Sequence, residues 1–291
     1  MHSFISGCSA VGSALGLGPR CRGFKSLHSD LLMISDSFDI CKLQNCRSAL
    51  VIFTEKCGTI SMRMRKKPNL EKRLKECEDL LVSDTENFKG NWKGDFQKLA
   101  VELGCGKGSF TLKTAQNNPE VRYIGVEKVD GALLLAMEKI KNACLDNVVF
   151  IRNDASHLTE EFEEGEVDTC YINFCDPWPK SRDAKLRLTS PNYLRRCATI
   201  LKDGGTIEFR TDNLPLFNWS VEQMKNEGWT VNNVTNDADN EIKTDYEKKF
   251  FEEGIKINML TAVKTTQTKT VKDGEVPRLR NAALSDARGL Q

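Results

Sequence analysis

A doubly wound α/β sheet is the fold class this sequence predicts, and three observations lead to it. From Leu99 onward short apolar runs alternate with amphipathic segments across short connections, the pattern of a mainly parallel sheet covered on both faces. The first of those runs passes into Gly104-Cys105-Gly106-Lys107-Gly108, where glycines let the backbone turn tightly and approach a ligand closely. Acidic residues then recur at successive strand ends, as Glu102, Glu127, Asp154 and Asp176. The expected sheet has seven strands with an antiparallel end.

Taken in order, Leu99 to Leu103 is the first strand, and the helix opened by the glycines must stop before Pro119. Val121 to Glu127 is the second strand, after which Asp130 is placed to cap a helix carrying Leu133, Leu134, Met137 and Ile140 on one face. Val148 to Ile151 is the third, ending at Asn153-Asp154, with Asp154 a cap for a helix near His157. Asp168 to Phe174 is the fourth and leads into Asp176-Pro177-Trp178-Pro179. Ser190-Pro191 opens the next helix with a cap residue and a proline at its first position. That helix is expected to end at Gly204-Gly205, followed by a fifth strand over Thr206 to Arg210. A helix after Asp212-Asn213 closes near Gly228, and Trp229 to Val234 and Ile257 to Val263 supply the last two strands.

The chain has 291 residues with 42 Lys and Arg against 41 Asp and Glu, so contact with a polyanion must come from a local basic patch. No apolar run approaches the roughly 18 residues a membrane-spanning helix needs. Eleven cysteines include no CxxC pair, which excludes a zinc ribbon and reads as a reduced, intracellular protein. The three histidines, His2, His28 and His157, show no metal-ligand spacing, so no metal is expected. Residues 1–61 lack sustained periodicity. They read as an over-long gene start, with Met62 or Met64 the initiator, or as a transit segment around Arg20, Arg22 and Lys25. Asp30, Asp36, Asp39 and Glu55 weigh toward the former. The expected organisation is thus an extension over 1–61, a catalytic domain over 62–264 and a polar tail over 265–291.

In an open α/β sheet, ligands bind beyond the carboxyl ends of the strands. Glu127 falls where a carboxylate accepts from ribose hydroxyls. A dinucleotide fingerprint requires G-x-G-x-x-G, whereas here the last of those positions is Ser109. Glu102 at the mouth of the loop would repel a pyrophosphate and attract an ammonium group. Acidic residues at four strand ends therefore suit S-adenosyl-L-methionine, which has a ribose, an ammonium and a sulfonium but no phosphate. The plainer alternative is that the glycines form only a tight turn. Gly104, Gly106, Asn153 and Asp154 complete the candidate cofactor set, with Asp154 facing the adenine edge.

Asn173 to Lys180 contains a carboxylate, two prolines and a tryptophan at one strand end, a stiff loop whose indole serves for base stacking or for packing. At these residues the sequence resembles the bacterial-type tRNA (guanine-N7)-methyltransferase family, over roughly Met62 to Lys264. The resemblance rests on Met62 to Pro68, Glu102 to Gly108, Ile124 to Glu127, Asp176-Pro177-Trp178-Pro179-Lys180, Thr211-Asp212-Asn213 and Thr244-Asp245-Tyr246-Glu247. It implies a Rossmann-like class I S-adenosylmethionine-dependent methyltransferase acting on N7 of the variable-loop guanine, position 46 of tRNA. It further implies cofactor contacts at Glu102, Glu127, Asp154 and Asp176, and tRNA or guanine contacts at Lys180, Asp212, Thr244, Asp245, Tyr246 and Glu247.

After the tryptophan this chain is less basic than the family pattern, with Ser181, Asp183 and Leu186 interrupting Lys180, Arg182, Lys185 and Arg187. The remaining cations make a local RNA-contact patch, joined by Arg63, Arg65, Lys66 and Lys67 in the N-terminal arm. Asp176 is the expected catalytic residue, as an orienting carboxylate rather than a base, because guanine N7 carries no proton. The alternatives are an adenine amino-methyltransferase, whose Asp-Pro-Pro-Tyr loop Asp176 to Pro179 only loosely matches, and a noncatalytic RNA-binding protein on the same fold. The expected partner is tRNA, the protein a monomer or homodimer, and the compartment the cytoplasm, or an organelle if residues 1–61 are a transit segment.

Overall fold

Side chains alternate across each strand, so a sheet covered on both faces splits its apolar residues between two cores. The computed structural model describes residues 67–238, 250 and 253–271. Their elements are α1 (Leu70–Glu76), β1 (Leu81–Val82), β2 (Lys98–Leu103), α2 (Ser109–Asn117), β3 (Val121–Val126), α3 (Asp130–Asn142) and β4 (Val148–Ile151), then α4 (Leu158–Glu161), β5 (Val167–Asn173), α5 (Pro191–Ile200), β6 (Leu201–Thr211), α6 (Leu214–Asn226), β7 (Thr230–Thr235) and β8 (Asn258–Val263). The sheet order is β1-β4-β3-β2-β5-β6-β8-β7. Pairs from β1 through β6 are parallel, and β8 runs antiparallel to both β6 and β7.

Leu99, Val101 and Leu103 of β2 pack with Leu194 and Cys197 of α5 and Phe217 and Met224 of α6. Ala100 lies on the other face with Tyr123, Phe150 and the α3 residues Leu133, Met137 and Ile140. The expected apolar face of α3 is thus fully buried, each large side chain contributing about 1.5–3 kcal/mol relative to exposure. Six cysteines are free among the described residues, with Cys170 and Cys197 filling the first core.

The seven expected strands are all present, and an eighth, β1, adds two residues beside β4. Two residues are too few for any apolar alternation to announce them. The reversed strand is last in sequence but last but one in space, between β6 and β7. α5 stops at Ile200, short of the glycine pair, because β6 already begins at Leu201. Leu201 pairs with Val167 and Thr206 with Thr169, so Lys202 to Gly205 bulge out of the ladder. Gly204 has φ +77°, and a Cβ on Gly205 would come 2.8 Å from the Lys202 carbonyl oxygen. The glycines therefore mark a kinked strand rather than a helix end.

Asp130 is the first residue of α3 rather than its cap, a position held by extended Val129 without a side-chain bond. There Asp130 faces Arg152 at 3.5 Å and favours the positive end of the helix. Asn213 does cap α6, accepting from the Leu216 N–H at 2.8 Å. Thr265 to Val271, assigned to the tail by composition, are fastened down. Lys269 donates its N–H to the Glu227 carbonyl at 2.9 Å, and Val271 donates its own to Thr199 Oγ1 at 3.0 Å.

Candidate functional site

The strand order reverses between β2 and β5, and the crevice at such a switch point is where an open α/β sheet binds ligands. The glycine loop leaves β2 there. Gly108 has φ +68°, and a Cβ on it would lie 2.7 Å from Ala136 Cβ, so glycine lets α2 start flush against α3. Gly106, at φ +56°, is different: a Cβ there would meet nothing nearer than 4.0 Å. Its N–H donates to Glu127 Oε2 at 2.9 Å, which ties the loop to the end of β3.

Glu127 Oε1 also accepts from the N–H groups of Lys128 and Val129, each at 2.9 Å. A carboxylate with three donors retains one lone-pair direction of about four. Glu102 is buried at the end of β2, where it accepts from Thr111 Oγ1 at 2.5 Å and Asn173 Nδ2 at 3.0 Å. Burial pushes its carboxyl up to about 7, against the opposing pull of those two donors and of Arg210. The other polar atom of Asn173, Oδ1, is buried and finds no hydrogen-bond partner among the described residues.

Asp154 caps the turn Ala155 to His157, as expected, accepting from the Ser156 N–H at 2.9 Å. Lys128 Nζ lies 3.1 Å from its other oxygen, and Tyr193 Oη donates at 3.5 Å. Burial raises its pKa, but the Ser156 and Lys128 donors outweigh burial and hold the carboxyl below its ordinary value. Asn153 is spent on local order. Its amide donates to Glu161 Oε1, and its oxygen accepts from the Asp154 N–H at 2.8 Å.

Beyond β5 the construction changes. Phe174 (φ +50°) and Trp178 (φ +41°) are held in the left-handed region on either side of Asp176, a conformation costing about 1–3 kcal/mol for a bulky residue. Asp176 and Asp212 are exposed and make no hydrogen bond or ion pair among the described residues. Both charges act on the half-buried Cys175: burial first, then Asp176 and Asp212, push its thiol up to about 12. Lys180, Arg182 and Lys185 are exposed, with Arg182 3.8 Å from Asp183. Arg187, expected among the RNA contacts, turns inward instead. Its Nε donates to the Pro177 carbonyl at 2.9 Å, its Nη2 to the Trp178 carbonyl at 2.9 Å, and its guanidinium lies 4.4 Å from the Trp219 ring centre.

The structure thus brings Glu102, Gly104, Gly106, Glu127 and Asp154 to one stretch of strand ends, and Asp176 and Asp212 to the loops after β5 and β6. Thr244, Asp245, Tyr246 and Glu247 lie outside the described residues, as do Arg63, Arg65 and Lys66. Sequence reasoning missed Thr111, Tyr193 and the orphaned Asn173 oxygen; only Asn173, at the end of an apolar run, carried a positional signal. Among the described residues no cluster of three or more metal-ligating side chains occurs, and no helix is long and apolar enough to cross a membrane.

A family model described as "Putative methyltransferase" matches residues 96–260. The chain is 39% identical over 204 residues to the tRNA (guanine-N(7)-)-methyltransferase of Halalkalibacterium halodurans, covering 67% of this chain and 93% of that one. It is also 39% identical over 208 residues to the enzyme of that name from Macrococcus caseolyticus, covering 69% and 99% respectively. Among solved structures, the 16S rRNA methyltransferase KamB superposes with a TM-score of 0.51 at 15% identity, over 63% of this chain and 94% of that one. That likeness speaks for the fold alone. The glycine loop, the acidic strand ends and the Asp176-Pro177-Trp178 turn all fall inside the matched region, and the chain belongs to the tRNA (guanine-N7)-methyltransferase family.

Proposed function

We propose that this chain transfers a methyl group from S-adenosyl-L-methionine to N7 of a tRNA guanine, the variable-loop guanine at position 46. The observation that carries the cofactor half is the orphaned Asn173 oxygen, buried beside the Glu102 carboxyl at the mouth of the glycine loop. An ammonium group would satisfy both. The open space at Gly106 and the remaining lone pair of Glu127 support a ribose there, and Asp154, held ionised, supports recognition of the adenine edge. When bound, the cofactor supplies an electrophilic methyl on a cationic sulfonium.

Guanine N7 carries an in-plane lone pair and no proton, so no residue of this chain has to act as a general base. The protein's task is to hold N7 in line, which is catalysis by positioning. As positive charge develops on the purine, its N1 and N2 protons become more acidic. A carboxylate accepting from that edge is bound more strongly in the transition state than in the ground state. Asp176 has that role in this reading, and Asp212 shares recognition of the base. Trp178, 36% exposed at the tip of the loop, offers a ring face for stacking. Lys180, Arg182 and Lys185 neutralise phosphates. The working enzyme in this reading is residues 62–264 with its basic arm and the fastened segment to Val271, in the cytoplasm with its tRNA.

The experiment is incubation of the purified chain with labelled cofactor and unmodified tRNA, followed by nucleoside mass spectrometry. The expected product is 7-methylguanosine. Methylated adenosine as the main product would sink the proposal, and calorimetric cofactor binding without any product would recast the chain as an RNA-binding protein on this fold.

A further inference from the structure

One cation of the basic track is bonded to the protein's own backbone. Arg187 forks across the carbonyl oxygens of Pro177 and Trp178, and its guanidinium lies against the indole of Trp219. Trp219 stands on α6, and α6 is capped by Asn213, the neighbour of Asp212. A single side chain therefore touches both the loop that carries Asp176 and the helix that follows Asp212. The loop needs such a clamp. Two bulky residues hold left-handed backbone there, and a backbone held in that region persists only where its surroundings enforce it.

We propose that Arg187 is a positioning residue that locks the Asp176 loop to α6, fixing Asp176 and Asp212 as one rim against the guanine, and that it does not contact tRNA phosphate. The proposal rests on the reading of Asp176 and Asp212 as substrate-facing. It assigns to the guanidinium what an ammonium cannot do: bond two carbonyls at once while stacking on an aromatic face. Charge alone is not what the site uses.

The test compares full-length wild type with Arg187→Lys and Trp219→Leu, in steady-state methylation of unmodified tRNA and in tRNA binding across a salt series. Lysine keeps the charge a phosphate contact would need and loses the fork. Arg187→Lys is expected to lower kcat at saturating tRNA by roughly 10²-fold, the cost of a misplaced reacting group. The KM for tRNA should stay within about threefold and the salt slope unchanged, because no phosphate contact is lost. Trp219→Leu keeps the carbonyl bonds and removes the stack, so its kcat should fall by about three- to tenfold. A wild-type kcat in Arg187→Lys overturns the proposal, as does a salt slope reduced by about one with kcat intact in Arg187→Ala. Should Arg187→Lys fail to fold, a wild-type kcat in Trp219→Leu overturns it. Wild-type single-turnover rates in both Asp176→Asn and Asp212→Asn would instead refute the reading of the rim itself, whatever Arg187 does.

Discussion

The carboxylates at the ends of β2, β3 and β4 differ from those after β5 and β6 in how much of their bonding the fold consumes. Glu102, Glu127 and Asp154 each accept at least two hydrogen bonds from the protein. Asp176 and Asp212 are exposed and accept none among the described residues. The first group is rigid before any ligand arrives, which suits a small molecule of fixed shape and little freedom. In the second, the loop carrying Asp176 is held through its backbone, by left-handed Phe174 and Trp178 and by Arg187, while both charges stay exposed. That suits a large partner bringing its own donors, because burying those carboxylates unpaired would cost more than leaving them exposed. One crevice thus contains two ways of holding a charge in place.

The contrast is broken most directly by crossing the two groups. Asp176→Asn should lower single-turnover methylation by roughly 10²–10³-fold with cofactor affinity within about tenfold, since its charge matters as the purine becomes cationic. Glu127→Ala should do the reverse, weakening calorimetric cofactor binding by roughly 10–10²-fold through the lost acceptor and the released Gly106 loop. Equal effects of both changes on both readouts would erase the distinction.

A pH series sharpens it on the cofactor side. The Glu102 carboxyl titrates near 7 in the fold against 4.5 ordinarily. Between those values the native protein keeps a proton that the unfolded chain has released, so this group's contribution to stability falls as pH rises from about 4.5 to 7 and is level above. The unfolding free energy of Glu102→Gln should therefore gain on wild type by an amount on the order of 3 kcal/mol between pH 5 and 8. Urea denaturation at the two pH values measures it, and parallel behaviour of the two proteins would show that Glu102 is not perturbed by burial. The smallest effect belongs to the exposed cations. Lys185→Ala should flatten the salt dependence of tRNA binding by about one phosphate contact and leave kcat alone.

Strand ends were readable from the sequence because they depend on local signals: an apolar run, a glycine turn, an acid where the run stops. Val148–Ile151 is identical in sequence reading and structure, and the buried stripe of α3 is the one its spacing predicts. What was not readable depends on distant partners. Gly204-Gly205 look like a helix stop until Val167 and Asp168 are alongside, with Asp168 accepting from the Leu99 N–H at 2.8 Å and from Lys202 at 2.9 Å inside the bulge. Arg187 sits in a run of cations and reads as one of them. Only its two carbonyl partners and the ring of Trp219, 32 positions away in the numbering, give it a different job. Asp130 failed as a cap for a local reason: the helix starts one residue earlier, and the Val129 carbonyl already accepts from the N–H groups of Ala132 and Leu133 that a cap at 130 would have served.

The place of β8 bears on how the chain comes to be folded at all. A ribosome releases β7 before β8, yet among the described residues β7 pairs only with β8, and β8 must slip between it and β6. The β6 edge and the whole of β7 thus wait, unpaired, until residues 258–263 emerge. Open strand edges of that kind are templates for pairing with other chains. The exposed margin of β7 carries safeguards suited to such a delay: a register break between Asn232 and Thr235, and Asn233 at φ +51°. β8 is therefore the keystone of the sheet in time as well as in space, and synthesis arrested before it would leave the β6 edge and both sides of β7 open.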